Sequence, residues 1–347
     1  VLFALLVFGR WSDAIGRRTI LLAWVAAEVA SAEVFLLTDS VPMMLVARVL
    51  SGLSAGLFTG TATPAVIEAA PPAWRSQAAA VATVANSGGL GAGPLLAGLL
   101  VQYAPHPLYL PFILHIVLAL LAGVAVLVVP EPSAKNGSIG FQRLSVPAEV
   151  RTVFVIGALA AFAGFTVCGL YTAVAPSFLS TVVGVDNHAV AGAIVCSIFA
   201  ASAVTQVASN RIPPGRAVAV GCLVLIVGMV ILSAALHFSS LTGLIVAAVV
   251  SGVGQGMSFS RGLAAVAVQT PAGRRAEVTS TYFVVAYIAI SLPVGGEGLL
   301  ARTWGLAPAG VAFALAVAAL AAICLVAILV EETRQNRART RDLSPST

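Results

Sequence analysis

The chain has 347 residues, of which 59% are hydrophobic and only 9% charged, and its mean hydropathy is +1.03. A soluble globule would carry about a quarter charged residues, so that class is excluded. The formal net charge of +5 does not point to nucleic acid either, because the basic residues collect in short polar breaks between apolar runs. Those runs reach the roughly 20 residues needed to cross about 30 Å of hydrocarbon, and none alternates like the ten-residue strands of a membrane barrel. An all-α polytopic membrane protein is expected.

In chain order the expected spans are 1–8 (the end of a helix), 19–38, 41–66, 76–100, 108–129, 150–175, 188–209, 216–237, 241–268, 277–295 and 306–330. The first polar break, GRWSDAIGRR at 9–18, reads as a tight loop: Gly9 and Gly16 give backbone freedom, and Asp13 faces Arg10, Arg17 and Arg18. A glycine, an aspartate four residues on, then Gly-Arg-Arg resembles the cytoplasmic loop between the second and third helices of the major facilitator superfamily, the largest group of secondary transporters. The resemblance implies two pseudo-symmetric six-helix bundles working by alternating access. It also implies a gating loop of Gly9, Asp13, Gly16, Arg17 and Arg18, with Asp13 closing the cytoplasmic side against the helix that begins near Glu277. With this loop in the cytoplasm, every Lys and Arg falls on that side except Arg302, outside, and Arg48 and Arg261, within the membrane. The positive-inside rule then fixes the orientation. A multi-pass protein of the bacterial inner membrane is expected, with its linker and C-terminal tail cytoplasmic.

In the run 41–66, Arg48, Gly52, Gly56 and Gly60 recur every four residues and so share one helix face that another helix can approach closely. That face turns Arg48 into the bundle, where an arginine costs about 2.5–3.5 kcal/mol unless paired or hydrated; the alternative is a side chain reaching back to the outer interface. Arg48-x-x-Ser51-Gly52 resembles the family's fourth-helix motif, whose arginine is associated with proton coupling. Glu33 on the preceding helix matches Arg48 in depth and is its expected partner. Glu28 lies about 8 Å deeper and about 140° around the same helix; it is either a protonatable group for coupling or a polar contact to a neighbouring helix. In the run 76–100, Gly89-x-x-x-Gly93-Pro94-x-x-Ala97-Gly98 resembles the fifth-helix motif of the family's antiporters, with Ala97 in place of a glycine. Close helix contact and a proline bend are expected there, and the resemblance implies export by antiport over sugar uptake.

The stretch 130–149, PEPSAKNGSIGFQRLSVPAE, is the sizeable hydrophilic interruption. It divides the chain into an N-terminal bundle (1–129), a cytoplasmic linker (130–149), a C-terminal bundle (150–330) and a cytoplasmic tail (331–347). The halves are related by a repeat. A slide of 200 residues lays LSGLSAG (50–56) on VSGVGQG (250–256), Pro71 on Pro271, Arg75 on Arg275, and Gly98-Leu99-Leu100 on Gly298-Leu299-Leu300. The second copy of the opening loop, SNRIPPGR, keeps Gly215-Arg216 without an acidic residue. In this register the first helix of the first half would start about 50 residues before Val1. The first helix and part of the second are thus expected upstream.

In the resembled family the helices that line the central cavity carry, here, Asn86, Tyr171, Gln255, Phe259, Arg261, Tyr282 and Tyr287. Such an aromatic cavity with few polar anchors suits lipophilic compounds. Arg261 either meets substrate or extends towards the cytoplasmic loops. The four cysteines lie singly in separate apolar runs; His106, His188 and His237 fall at outer helix ends and His115 in a peripheral helix, with no metal-ligand spacing. No Gly-Lys-Ser/Thr phosphate loop supports ATP-driven transport. The reading is a cofactor-free, non-enzymatic monomer in the lipid bilayer, resembling the drug:proton antiporter branch and exchanging protons for small lipophilic molecules. Its alternatives are a metabolite or sugar carrier of the same superfamily and a transport-inactive truncated or sensor protein.

Overall fold

The computed structural model describes Val1, Phe3, Ala4, Val7, 11–131, Gly140 and 144–343, apart from the side chains of 76, 272, 276 and 335–343. Gly9 and Arg10 of the opening loop, and most of the linker with Lys135 and Arg143, lie outside the described residues.

A short helix α1 (Trp11–Ile15) precedes α2 (Arg17–Leu37), α3 (Val41–Ala69), α4 (Arg75–Tyr103), α5 (Leu110–Val128), α6 (Arg151–Thr181), α7 (His188–Ala208), α8 (Pro214–His237), α9 (Leu241–Gln269), α10 (Arg275–Trp304) and α11 (Leu306–Leu343). Among the described residues there is no strand, and 10 helices are long and apolar enough to cross a membrane. Helices are the form such runs must take, because hydrocarbon offers no partner for free backbone amides. The protein is an all-α, multi-pass membrane protein.

Several observed helices run past the ends of the expected spans. Pro64, Pro176 and Pro293 lie inside α3, α6 and α10. The expected ends at 66, 175 and 295 become Ala69, Thr181 and Trp304. A proline removes one intrahelical bond, and in a membrane bundle neighbouring groups compensate, so the helix bends and continues. In α10 this carries the chain through Gly295 and Gly296 to a stop at Gly305, whose φ of 85° suits glycine. Glu297 is thereby placed inside a membrane helix.

The described chain forms two compact units, Val1–Ser145 with His188–Gly192, and Val146–Asn187 with Ala193–Thr347. In the first, α2 packs along both α3 and α5, and α4 lies against α3. In the second, α6 contacts α8, α9, α10 and α11, and α8 packs against α9 and α11. Small residues make this approach possible: Ala160, Ala161 and Ala163 of α6 are fully buried. Gly228 of α8 meets Ser251 of α9, while Gly252 and Gly256 of α9 rest on the backbone of α7 at Ile198 and Ser202. Cys222 and Cys324 are free thiols in the same apolar core, and Cys324 Sγ donates to the Ile156 carbonyl at 3.3 Å.

Candidate functional site

The clearest polar constellation of the first unit is centred on Glu28, at the middle of α2 and about 15 Å from either helix end. Glu28, Ser31, Ala32 and Phe35 follow the i, i+3, i+4, i+7 spacing and share one face. Glu28 Oε1 lies 2.6 Å from Nε2 of His115 on α5, and Ser54 of α3 donates its hydroxyl to Oε2. Ser31 Oγ donates to the Ala47 carbonyl at 2.9 Å, a second link between α2 and α3. Glu28, His115, Phe35 and Arg48 line a cavity of about 370 Å³, closed on the α4 side by Gly93 and Ala97. A carboxyl bonded to an imidazole in such a place can exchange a proton with it, and histidine ordinarily titrates near neutral pH.

Arg48 and Glu33 do not form the expected pair. The Arg48 guanidinium lies 5.3 Å from the centre of the Phe35 ring, and no ion pair joins it to Glu33, whose side chain is exposed. Helical geometry gives the reason: Glu33 is five residues from Glu28 and two from Phe35, so it points away from the face that Arg48 meets. Arg48 shares its cavity with Glu28 instead.

The opening loop is knitted within the same unit. Arg17, buried, holds Asp13 of α1 at 2.5 Å, Glu68 at the end of α3 at 2.9 Å, and Ser12 Oγ at 2.5 Å. Gly16 caps α2 at φ 115° and ψ 146°, a conformation side chains resist. No residue of the cap itself bonds the first amides of α2; Glu131 does so from beyond α5, accepting from the Arg17 and Arg18 amides at 2.9 and 3.1 Å. The sequence pattern pointed to Asp13 beside Arg17. It held no sign of Glu68 or Glu131, whose roles depend on where α3 and α5 end.

In the second unit, several residues expected to line a substrate cavity are core residues. Tyr171 and Tyr282 are fully buried, and the Tyr282 hydroxyl donates to the Gly157 carbonyl at 3.0 Å. Gln255 is buried, with Oε1 accepting from Ser202 Oγ at 2.5 Å. Their polar atoms are engaged because a buried hydroxyl or amide without a partner is costly, so α6, α9 and α10 close around them. Phe259 packs edge-on against Phe165 at 4.8 Å and beside Phe283 at 5.9 Å, and is half-buried, as is Tyr287. Arg261 Nη1 reaches Asn210 at 3.4 Å, towards the connection between α7 and α8, and Asn86 is exposed on α4. Of the antiporter-type glycines, Gly98 touches the His188 backbone, whereas a methyl group built at Gly89 or Gly93 would meet nothing within 4 Å. Among the described residues, Gly98 is the one of these three in close contact with another helix.

Glu297 escaped the sequence reading. It is 1% exposed, and neither carboxylate oxygen has a hydrogen-bond partner. The signal for it was the repeat, which sets Glu297 opposite Ala97; ending the helix at the Pro-Gly-Gly run hid it.

Ten membrane-length helices among the described residues, a carboxyl bonded to an imidazole at the middle of one of them, and a basic loop pinned by acidic residues define an all-helical, multi-pass membrane protein with a polar cluster within its helices. The family model described as Major Facilitator Superfamily matches residues 1–294, and this chain belongs to that family. A curated relative, the uncharacterized MFS-type transporter YhjO of Bacillus subtilis (strain 168), is 30% identical over 104 residues, which are 30% of this chain and 26% of the relative. The chain thus spans about a quarter of the length of that relative. The crystal structure of the human organic anion transporter MFSD10 (TETRAN) matches with a TM-score of 0.63 over 94% of this chain and 80% of that one, at 17% identity. That likeness is one of fold.

Proposed function

We propose that the chain works as a proton-coupled exporter of small lipophilic compounds in the bacterial inner membrane, with its linker and tail on the cytoplasmic side. The observation that carries this reading is the Glu28–His115 hydrogen bond, set at mid-membrane depth beside Arg48 in one cavity. Ionisable side chains at that depth are costly and rare, and an exchangeable proton is the use that justifies them. Glu28 gains or loses the proton, His115 accepts or returns it, and Ser54 orients the carboxyl. Arg48 sets the local potential that favours the ionised form. Pro94 within α4 lets that helix bend as the cavity changes access. Asp13, Arg17 and Glu68 act as the cytoplasmic latch.

The experiment is efflux of a panel of fluorescent lipophilic dyes from proteoliposomes carrying the protein under an imposed pH gradient. Export that follows the gradient and stops on adding a protonophore is the expected result. Transport that ignores the gradient, or that accepts sugars and rejects every dye, would refute the proposal.

A further inference from the structure

Glu297 and Arg17 are the two charged side chains buried among the described residues, and they are treated differently. Arg17 has acidic partners on two elements; neither Glu297 oxygen has any partner. Ile290, Val294 and Glu297 follow the i, i+4, i+7 spacing on α10. The first two press on Gly169 of α6, where an added methyl would come within 2.9 Å of Val294 Cγ2. Glu297 lies one turn further along α10, about 10 Å before the helix ends at Trp304.

The elements packed on α10 bring no charge to this level. From Thr152 to Thr181, α6 carries no acidic or basic residue, and its titratable groups are Cys168 and Tyr171. On α11 no charged residue precedes Glu331, and its thiol, Cys324, lies far along the helix. The one charge on α9 is Arg261, about 30 Å from that helix's start. On α10 itself the nearest titratable groups are Tyr287 and Arg302, and neither bonds the carboxyl.

We propose that Glu297 is the proton-carrying residue of the second unit. This rests on the antiport reading above and adds a second exchange site to it. Buried without a partner, a carboxyl is tolerable only as the acid. When the site opens to water, the O–H bond breaks, the proton passes to water and the carboxylate remains hydrated. Reclosing requires a proton to be taken up again, with no change of oxidation state. The repeat supports a specialised role, since the corresponding residue of α4 is Ala97.

The test uses the complete protein in proteoliposomes with ethidium as probe. E297Q, which mimics the protonated acid, is expected to lose pH-gradient-driven efflux by about tenfold or more, while exchange of labelled for unlabelled ethidium at equal pH stays within about twofold. Unchanged gradient-driven efflux in E297Q, or loss of both activities together, overturns the proposal. Absence of gradient-driven efflux in the unmodified protein would instead overturn the antiport reading on which it rests. A second measurement needs no variant: dicyclohexylcarbodiimide, an apolar reagent for protonated carboxyls, should label Glu297 faster in acid than in alkaline buffer, read by peptide mass spectrometry. Glu297 left unlabelled at every pH would likewise overturn it.

Discussion

The two units hold their buried polar groups in different ways. In the first, Glu28, Ser54 and His115 satisfy one another across three helices, and Arg17 ties α1, α2 and α3. In the second, helices close backbone to backbone through glycine and alanine, and 67% of the most apolar stretch of α6 is buried. There Tyr282 bonds a neighbouring main chain, Gln255 bonds the Ser202 side chain, and Glu297 has no partner among the described residues. The difference teaches that one sequence repeat can support two modes of cohesion. Complementary polar pairs add to the helix contacts of the first unit, whereas glycine and alanine fit dominates those of the second, where Glu297 is left without a partner.

The contrast breaks most readily at the glycines. Gly252→Val places a branched side chain on the Ile198 carbonyl, and overpacking of about 3 kcal/mol is expected. Gly93→Ala should be neutral or stabilising by up to about 1 kcal/mol, since no described residue lies near it and alanine is the better helix former. Thermal unfolding in detergent compares the two, and equal losses would end the distinction between the units. A smaller effect is expected from Arg17→Met, which strips the cation from Asp13 and Glu68; both partners are part-exposed, so the loss is about 2 kcal/mol. A double-mutant cycle with Glu68→Gln should return coupling of about 1 kcal/mol, and zero coupling would show that the polar linkage does not hold the first unit. Gly16→Ala forces a side chain into φ 115° and should cost about 1–2 kcal/mol by the same unfolding assay. The smallest effect is that of Glu131→Gln, which removes the anion from the start of α2 for about 0.3–1 kcal/mol, lost again in high salt.

The architecture was legible because span length and apolarity are properties of each segment alone. The loop from Asp13 to Arg18 was legible for a similar reason: Asp13 and Arg17 are four residues apart in sequence. What stayed hidden depends on facing. His115 sits in a helix that is apolar on every side, so periodicity gives no direction for its ring, and its bond to Glu28 appears only when α5 is laid on α2. The misplaced Arg48–Glu33 pair came from matching depth without matching face, although the 140° between Glu28 and Glu33 already set them apart. Tyr171, Gln255 and Tyr282 were expected at a cavity because their helices line one in the resembled family; bonds to Leu244, Ser202 and Gly157 turn them inward. Glu297 was lost to a helix-stop rule that holds in water and fails where neighbouring helices support a proline.

The central claim is that Glu28, and not Glu33, carries the exchanged proton of the first unit. The direct measurement is pH-gradient-driven dye efflux by Glu28→Gln and Glu33→Gln proteins in matched proteoliposomes, with dye exchange at equal pH as the control for folding. Glu28→Gln should lose gradient-driven efflux by about tenfold or more while keeping exchange, and Glu33→Gln should match the unmodified protein. Full coupling in Glu28→Gln, or its loss in Glu33→Gln alone, would contradict the account.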